Sequence, residues 1–332
     1  MGKLSNSELK ELLSCIKKDP RVIIPPMIGY DSGVHKVDGK YLIVASDPCT
    51  GVPEEWLGYL LISYAASDVA LFGVKPEFCT VTLLGPIGCT AEVFQKIMKQ
   101  TCQAADELGI AIVRGHTGRY DSLKGLVGVA TVYGTTQSEK LITAGNAKKG
   151  DLILCTKPLG LETVTNFSLT QKKLAQDLFG AEQQENFSNQ VRLQSCVHEA
   201  LQLAQTGAVH AMHDATEGGF VAALNELAEA SGVGFRVHWE TIQLLKEVLA
   251  LKTYFDLSKW QVLSMSSTGT ILAAVDPLMQ EKVMAALRLI GVKAQFIGKF
   301  TESKKHVLVT SGKEESFPEV PSDPYSLIVS GR

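Results

Sequence analysis

The sequence predicts a mixed α/β protein of two domains, and three observations carry that expectation. A chain of 332 residues exceeds the usual size of a single hydrophobic core. Strand-like apolar runs alternate with helical periodicity along most of its length, as in helices layered on a sheet. A polar stretch from Ser138 to Gly150 interrupts that alternation and marks the boundary, giving an N-terminal domain of residues 1–148 and a C-terminal domain of residues 149–332.

The N-terminal half opens on an amphipathic helix. Ser5 and Glu8 have the spacing of a capping box, and Leu9, Leu12, Leu13 and Ile16 share one face. The turn-rich Gly29–Val34 leads to a buried strand, Lys40–Ser46, that Asp47 closes. Glu54–Gly73 is a long apolar helix in which Ser63, Ser67 and Asp68 are the polar interruptions. A strand over Glu77–Leu84, a helix over Thr90–Leu108, a strand over Ile110–Val113 and, after Gly115-His116-Thr117, a strand over Leu126–Thr136 complete this half.

The C-terminal half reads as a strand (Leu152–Thr156), helices to about Thr206, and a strand from Ala208 to Met212. A helix (Gly219–Ala230), a strand (Val233–Val237), a further helix, a strand (Gly269–Val275), a helix (Leu278–Ile290) and strands to Val309 follow. Residues 314–332 are rich in Pro, Ser and Glu and are expected to be loosely held, although Leu327-Ile328-Val329 is apolar enough to dock or to enter a site.

Composition narrows the function. Hydrophobic residues make up 45% and charged ones 20%, an ordinary globular profile. A formal net charge of −3 with no cluster of Lys and Arg gives no footprint for nucleic acid. No apolar run approaches the ~18 residues of a membrane span, and the first residues carry no apolar signal segment, so a cytoplasmic protein is expected. The seven cysteines are scattered, with no Cys-x-x-Cys pair, which suggests neither a disulfide framework nor a zinc site.

Two constellations carry chemistry. Between the strand ending at Met212 and the helix starting at Gly219 stand His213, Asp214, Thr216, Glu217, Gly218 and Gly219. Paired glycines at a strand-to-helix turn aim backbone N–H groups at a helix N-terminus, where the dipole favours an anion such as phosphate. The plainer alternative is that Thr216 or Asp214 caps the helix and the glycines only permit the turn. His213 and Asp214 make an acid–base pair at a strand end, or a purely structural hydrogen bond. Asn225 and Glu226 read as a capping or surface pair.

The second constellation is Asp31 in a glycine turn, Asp47 at a strand end and Asp68 on a helix, three stations that can converge on Mg²⁺, which takes oxygen ligands. Asp31 and Asp47 also suit a turn residue and a strand-end cap. Asp68 is harder to explain structurally, because an ionised carboxylate in an apolar helix costs several kcal/mol unless paired or metal-bound.

These segments resemble the aminoimidazole ribonucleotide (AIR) synthase superfamily, and within it the HypE-like branch of hydrogenase expression/formation proteins. Gly29-Tyr30-Asp31-Ser32-Gly33-Val34 is similar to the family's Gly-Asp-Asp-Ala-Ala-Val segment, with tyrosine for the first aspartate. Ser46-Asp47-Pro48 is similar to its strand-end aspartate. Ser67–Pro76 resembles its Asn-Asp-Leu-Ala-x-x-Gly-Ala-x-Pro helix end, and His210–Gly234 its second-domain motif. The resemblance implies ATP and Mg²⁺ as cofactors, with Asp31, Asp47 and Asp68 as metal ligands and Thr117, Thr216, Gly218 and Gly219 among the nucleotide contacts. It further implies a homodimer that joins N-terminal sheets into a barrel-like core, ATP held between subunits and domains, and a ferredoxin-like C-terminal domain.

Departures matter as much. His116 stands where HypE-like members carry aspartate in Gly-Asp-Thr. A neutral imidazole is a poor Mg²⁺ ligand but can bond a phosphate, which makes His116 a third catalytic candidate beside His213 and Asp214. Glu217 replaces an arginine of the family's Thr-Arg-Gly-Gly. No cysteine follows Cys196, so the cyanide-forming route through a tail cysteine is not expected. Cys49, beside Asp47, is either a nucleophile or a small filler. The expected function is ATP-dependent, Mg²⁺-assisted phosphoryl transfer onto a small-molecule or protein-tail substrate. A small-molecule kinase or amide-activating ligase, and a non-catalytic nucleotide-binding scaffold, are the alternatives.

Overall fold

The computed structural model describes residue 4 and residues 6–331. Ser5 of the expected capping box lies outside them. The chain divides into two compact units. One comprises Lys18–Pro26 and Asp31–Leu141, and the other begins at Ile142 and also takes in the segment up to Lys17 and Met27–Tyr30. The division therefore falls at residue 142, within the polar stretch, and two early segments belong with the C-terminal unit.

The first helix, α1 (Asn6–Ser14), leaves Leu12 54% exposed, so the expected apolar face is not fully covered. In the N-terminal unit, β1 (Val22–Ile24), β2 (Gly33–Val37) and β3 (Lys40–Thr50) precede α2 (Glu54–Leu71). Then come β4 (Phe78–Pro86), α3 (Ala91–Leu108), β5 (Ala111–Tyr120) and β6 (Val127–Thr136). The six strands form an open sheet in the order β1-β2-β3-β6-β4-β5, antiparallel except for β4 beside β5. The sheet is not a closed barrel within one chain.

Two strand assignments are corrected. β3 does not end at Asp47 but runs on to Thr50. β2 pairs only with residues 40–44 of β3, so Pro48, which has no N–H to donate, falls beyond β2 and faces no partner on that side. β5 continues through Gly115-His116-Thr117 to Tyr120, because parallel pairing with β4 extends as far as Pro86↔Tyr120. His116 is thus within an edge strand rather than in a loop after one.

α2 lies against β3 and β6, with α3 packed on α2. The two helices cross closely at Gly58, where an added Cβ would stand 2.2 Å from the Ile97 carbonyl oxygen. The Gly58 N–H donates to Gln100 Oε1 at 2.9 Å.

The C-terminal unit contains β7 (Leu152–Thr156), four helices α4 (Leu161–Thr170), α5 (Lys172–Phe179), α6 (Ala181–Ser188) and α7 (Val197–Gln205), then β8 (Val209–Ala215) and α8 (Gly219–Ser231). It continues with β9 (Gly234–His238), α9 (Lys246–Tyr254), α10 (Lys259–Leu263), β10 (Ser267–Val275) and α11 (Gln280–Leu289). β11 (Ala294–Thr301), β12 (His306–Thr310), β13 (Lys313–Ser316) and α12 (Tyr325–Ser330) close it. Its sheet has the order β13-β12-β9-β11-β7-β10-β8, antiparallel except for β12 beside β9. Every residue of β10 is buried, which suits the apolar run from Ile271 to Val275. Phe220, Leu224, Phe235 and Phe300 centre one core cluster, and Phe167, Phe187, Val248 and Leu251 another.

The tail is not loose. Phe317 packs in the first cluster against Phe220, Phe235 and Trp260, and Ile328 of α12 is fully buried in the second. Composition misled here because two apolar anchors and a set of side-chain bonds to tail carbonyls suffice to hold a polar segment. Asn225 Nδ2 donates to the Pro318 carbonyl at 2.8 Å, and Gln171 Nε2 to that of Val329 at 2.9 Å.

Gly58→Ala tests the α2–α3 crossing. In an open helix this change stabilises by about 0.5–1 kcal/mol, whereas here the overpacking should reverse the sign and cost about 1–3 kcal/mol. Urea denaturation of the two proteins reads the difference.

Candidate functional site

In the N-terminal unit the sheet pleat sets Asp47. Ile43, Ala45 and Cys49 have the same parity along β3 and are buried, and Cys49 Sγ donates to the Leu57 carbonyl of α2 at 3.8 Å. Asp47 therefore points to the face that α2 covers. Asp68 lies on α2 itself, half-buried where its neighbours Ser67 and Val69 are fully buried. Asp31 is half-buried in the bend before β2. Among the described residues the oxygens of these three aspartates do not all lie within 4.8 Å of one another. Three partly buried carboxylates are a hard-oxygen donor set of the kind Mg²⁺ takes, with water or phosphate oxygens in its remaining positions.

His116 and Thr117 are exposed on β5, opposite Thr82 and Leu83 of β4. His116 Nε2 is 3.2 Å from the Tyr120 hydroxyl. Cys49 is buried, as are Cys79 and Cys155, whose thiols burial pushes up to about 11 and about 12. Thiols so protonated are inert fillers.

In the C-terminal unit β8 carries His213 and Asp214 to its end, both almost fully buried at 1% and 2% exposure. The expected His213–Asp214 pair is not how the side chains bond. His213 Nδ1 donates to the backbone carbonyl of Asp214 at 2.8 Å, and its Nε2 is 2.7 Å from Glu226 Oε2. A carbonyl only accepts, so Nδ1 carries a proton, and the Nε2–Glu226 contact holds one more, shared between imidazole and carboxylate. Glu226 is thus a buried-site partner, not a surface residue. It lies seven positions, two helical turns, beyond Gly219, on the face below the turn, and that spacing was the signal in the sequence. Asn225 is also buried, bonded through Oδ1 to His306 Nδ1 at 2.8 Å.

Gly218 and Gly219 take φ of +80° and +55°, and both are closely approached. A Cβ on Gly219 would meet the Met265 carbonyl oxygen at 2.3 Å, and one on Gly218 would meet Pro321 Cγ at 2.8 Å. Neither Thr216 nor Asp214 is the N-cap of α8, which is Gly218 and has no side chain of its own to cap with. A carboxylate does arrive at this turn, from 105 residues downstream. Asp323 Oδ2 accepts the Gly218 N–H at 3.0 Å and the Ser266 hydroxyl at 2.6 Å, while Oδ1 accepts the Tyr325 N–H at 2.9 Å. Burial raises the Asp323 carboxyl above its ordinary range against the pull of these bonds. Close by, Glu162 accepts from the Thr268 hydroxyl at 2.5 Å, and burial, with Glu217 and Asp323 adding to it, lifts Glu162 to about 8. The sequence reading missed Glu162, Ser266 and Asp323, which come from three separate stretches of chain.

Glu226→Ala would leave a buried His213 ring nitrogen without its partner, at a cost of about 1–3 kcal/mol. Urea unfolding of the variant, with Glu226→Gln as the milder control, measures it.

Comparison with known proteins agrees with this architecture. The family model for the N-terminal domain of AIR synthase related proteins matches residues 29–136, and that for the C-terminal domain matches residues 148–311. A selenide, water dikinase of Myxococcus xanthus is 26% identical over 336 residues, covering 91% of this chain and 92% of its own. The carbamoyl dehydratase HypE of Cupriavidus necator is 27% identical over 257 residues, covering 75% of this chain and 69% of its own. Among solved structures, the hydrogenase maturation protein HypE in complex with ATP superimposes with a TM-score of 0.71 at 18% identity, over 94% of this chain and 91% of that one. Among the described residues no helix is long and apolar enough to cross a membrane. With both of its domain models matched in order, the chain belongs to the AIR synthase related family.

Proposed function

We propose that this chain is an ATP-using enzyme that, with Mg²⁺, transfers or activates through a phosphoryl group on a substrate oxygen. The observation that carries the reading is a set of three half-buried carboxylates in the N-terminal unit, Asp31, Asp47 and Asp68, which are hard-oxygen donors of the kind Mg²⁺ takes. Family membership supplies the second support, since relatives named as a dikinase and a carbamoyl dehydratase, and a HypE solved with ATP, make nucleotide chemistry the family's common ground.

In this reading Asp31, Asp47 and Asp68 hold Mg²⁺, which when bound neutralises phosphate charge. The residues themselves then have positioning to do, because phosphoryl transfer depends on orientation and charge more than on covalent assistance. Thr117 and His116 bond phosphate oxygens in this reading, which their exposure on β5 supports. His213 is buried, so it acts by position, fixing the Asp214 backbone through its Nδ1–H and drawing on Glu226 for its second bond. Thr216 and the N–H groups of Gly218 and Gly219 belong to the nucleotide or substrate contacts, at a turn where Asp323 now sits. The exposed β5, ten residues long at the end of its sheet, is read as the edge that a second copy pairs.

ATP turnover measured with and without Mg²⁺ tests the reading; turnover absent under both conditions, across candidate oxygen nucleophiles, would favour the scaffold alternative. Asp68→Ala should weaken ATP binding at least tenfold in Mg²⁺ and little in its absence. Calorimetric titration of ATP at several Mg²⁺ concentrations checks it, and an unchanged Mg²⁺ dependence would remove Asp68 from the metal site.

A further inference from the structure

A hydroxyl taken out of water needs a partner inside the protein, because it carries a donor and two acceptor lone pairs. Among the described residues, Ser32, Ser63, Thr165 and Thr270 are buried and their hydroxyls reach no hydrogen-bond partner. Ser63 and Thr165 stand inside α2 and α4, and Thr270 inside β10, a strand with neighbours on both sides. Ser32 is placed differently. It follows Asp31 in the approach to β2 and is 4% exposed.

Pleat parity gives the direction in which Ser32 faces. Ser32 and Val34 are buried while Gly33 and His35 are half-buried, so Ser32 begins the alternation that β2 continues. Val34 pairs with Ile43 and Gly33 with Val44, and one further step along that register brings Ser32 beside Ala45. Ala45 and Asp47 have the same parity on β3, on the face that α2 covers. Ser32 is therefore a diagonal neighbour of Asp47, about 7–8 Å away along the sheet. The helix that carries Asp68 packs on that same face.

We propose that Ser32 Oγ is a further oxygen of the Mg²⁺ site made by Asp31, Asp47 and Asp68, bonded to the cation or to one of its waters. The proposal rests on the reading of those three aspartates as metal ligands. A serine hydroxyl is a hard oxygen of the kind Mg²⁺ accepts beside carboxylates and water. It is also neutral, so it adds a ligand without adding to the repulsion among three carboxylates. The family segment Gly-Asp-Asp-Ala-Ala-Val has alanine at the place of Ser32 and aspartate at that of Tyr30. This chain has a carboxylate fewer at one position and a hydroxyl more two residues later. The Tyr30 hydroxyl is turned to Gly145, so closely that a Cβ there would stand 2.1 Å from it.

One substitution then has opposite effects in the two states. Without Mg²⁺, Ser32→Ala removes a buried hydroxyl that has nothing to bond, and the urea midpoint of the full chain should equal or exceed the parent's. In Mg²⁺, calorimetric titration should show ATP bound about tenfold more weakly, the loss usual for groups that support a metal's ligands. Ser32→Cys keeps the side chain's shape but offers a soft sulfur that Mg²⁺ does not take, so it should share the loss in Mg²⁺. It decides the matter if the alanine variant does not fold. Asp68→Ala, measured alongside, separates this proposal from the reading it rests on. If Asp68→Ala loses the Mg²⁺ dependence and both Ser32 variants keep the parent's, Ser32 is no part of the site and the aspartates remain. If the parent's own ATP binding does not depend on Mg²⁺, the aspartate reading falls and this one falls with it. A Ser32→Ala protein destabilised equally with and without Mg²⁺ has lost a bond made inside the protein, which also overturns the proposal.

Discussion

The bond from the Gly218 N–H to Asp323 ties the start of α8 to the C-terminal segment of the same unit. A helix of thirteen residues leaves its first N–H groups without partners in the helix, and α8 starts on two glycines that offer no side chain for the purpose. The deficit is met by a carboxylate that the chain brings back from its far end. That requirement fixes Pro321 against the turn, places Ser266 at the mouth of β10 and draws Glu162 into an acidic neighbourhood.

His213 shows how a buried imidazole is satisfied beside the same turn. Its side chain is almost fully buried, so each ring nitrogen must find a partner there. The Asp214 carbonyl and Glu226 meet the two, one along the strand and one across to α8. Gly29 backs on to Glu226, where an added Cβ would stand 3.2 Å from the Glu226 Cβ. The Tyr30 hydroxyl occupies the space that a side chain on Gly145 would need. The segment Met27–Tyr30 is therefore seated on the C-terminal unit just before the turn of Asp31, and tyrosine in place of the family's first aspartate has a structural use here.

Legibility in the sequence tracked the range of the interactions. α2, α3, β6, β7 and α8 were readable to within a residue or two, because apolar periodicity and flanking glycines are local signals. The lengths of β3 and β5 were not, since a strand lasts as long as its neighbour pairs with it, and β6 and β4 lie far away in sequence. The glycine turn and its appetite for an anion were legible, whereas the identity of the anion was not. Asp323, Ser266 and Glu162 are separated by 57 and 104 residues along the chain, and only the folded sheet brings them near one turn.

The same contrast separates the two halves of the candidate site. Asp47 and Asp68 owe their placement to one strand and one helix that pack on each other, so pleat parity and the polarity of α2 announced them. His116 shares a strand with Thr117, and its exposure follows from β5 standing at the sheet edge, a consequence of strand order that no local pattern encodes. An edge strand of ten residues in which Val113 is 58% and Tyr120 43% exposed carries unpaired backbone groups and apolar side chains on the same surface. Native proteins seldom leave such a surface bare, because it templates pairing with another strand. His116 therefore stands exposed on the open edge of its sheet, beside those apolar side chains.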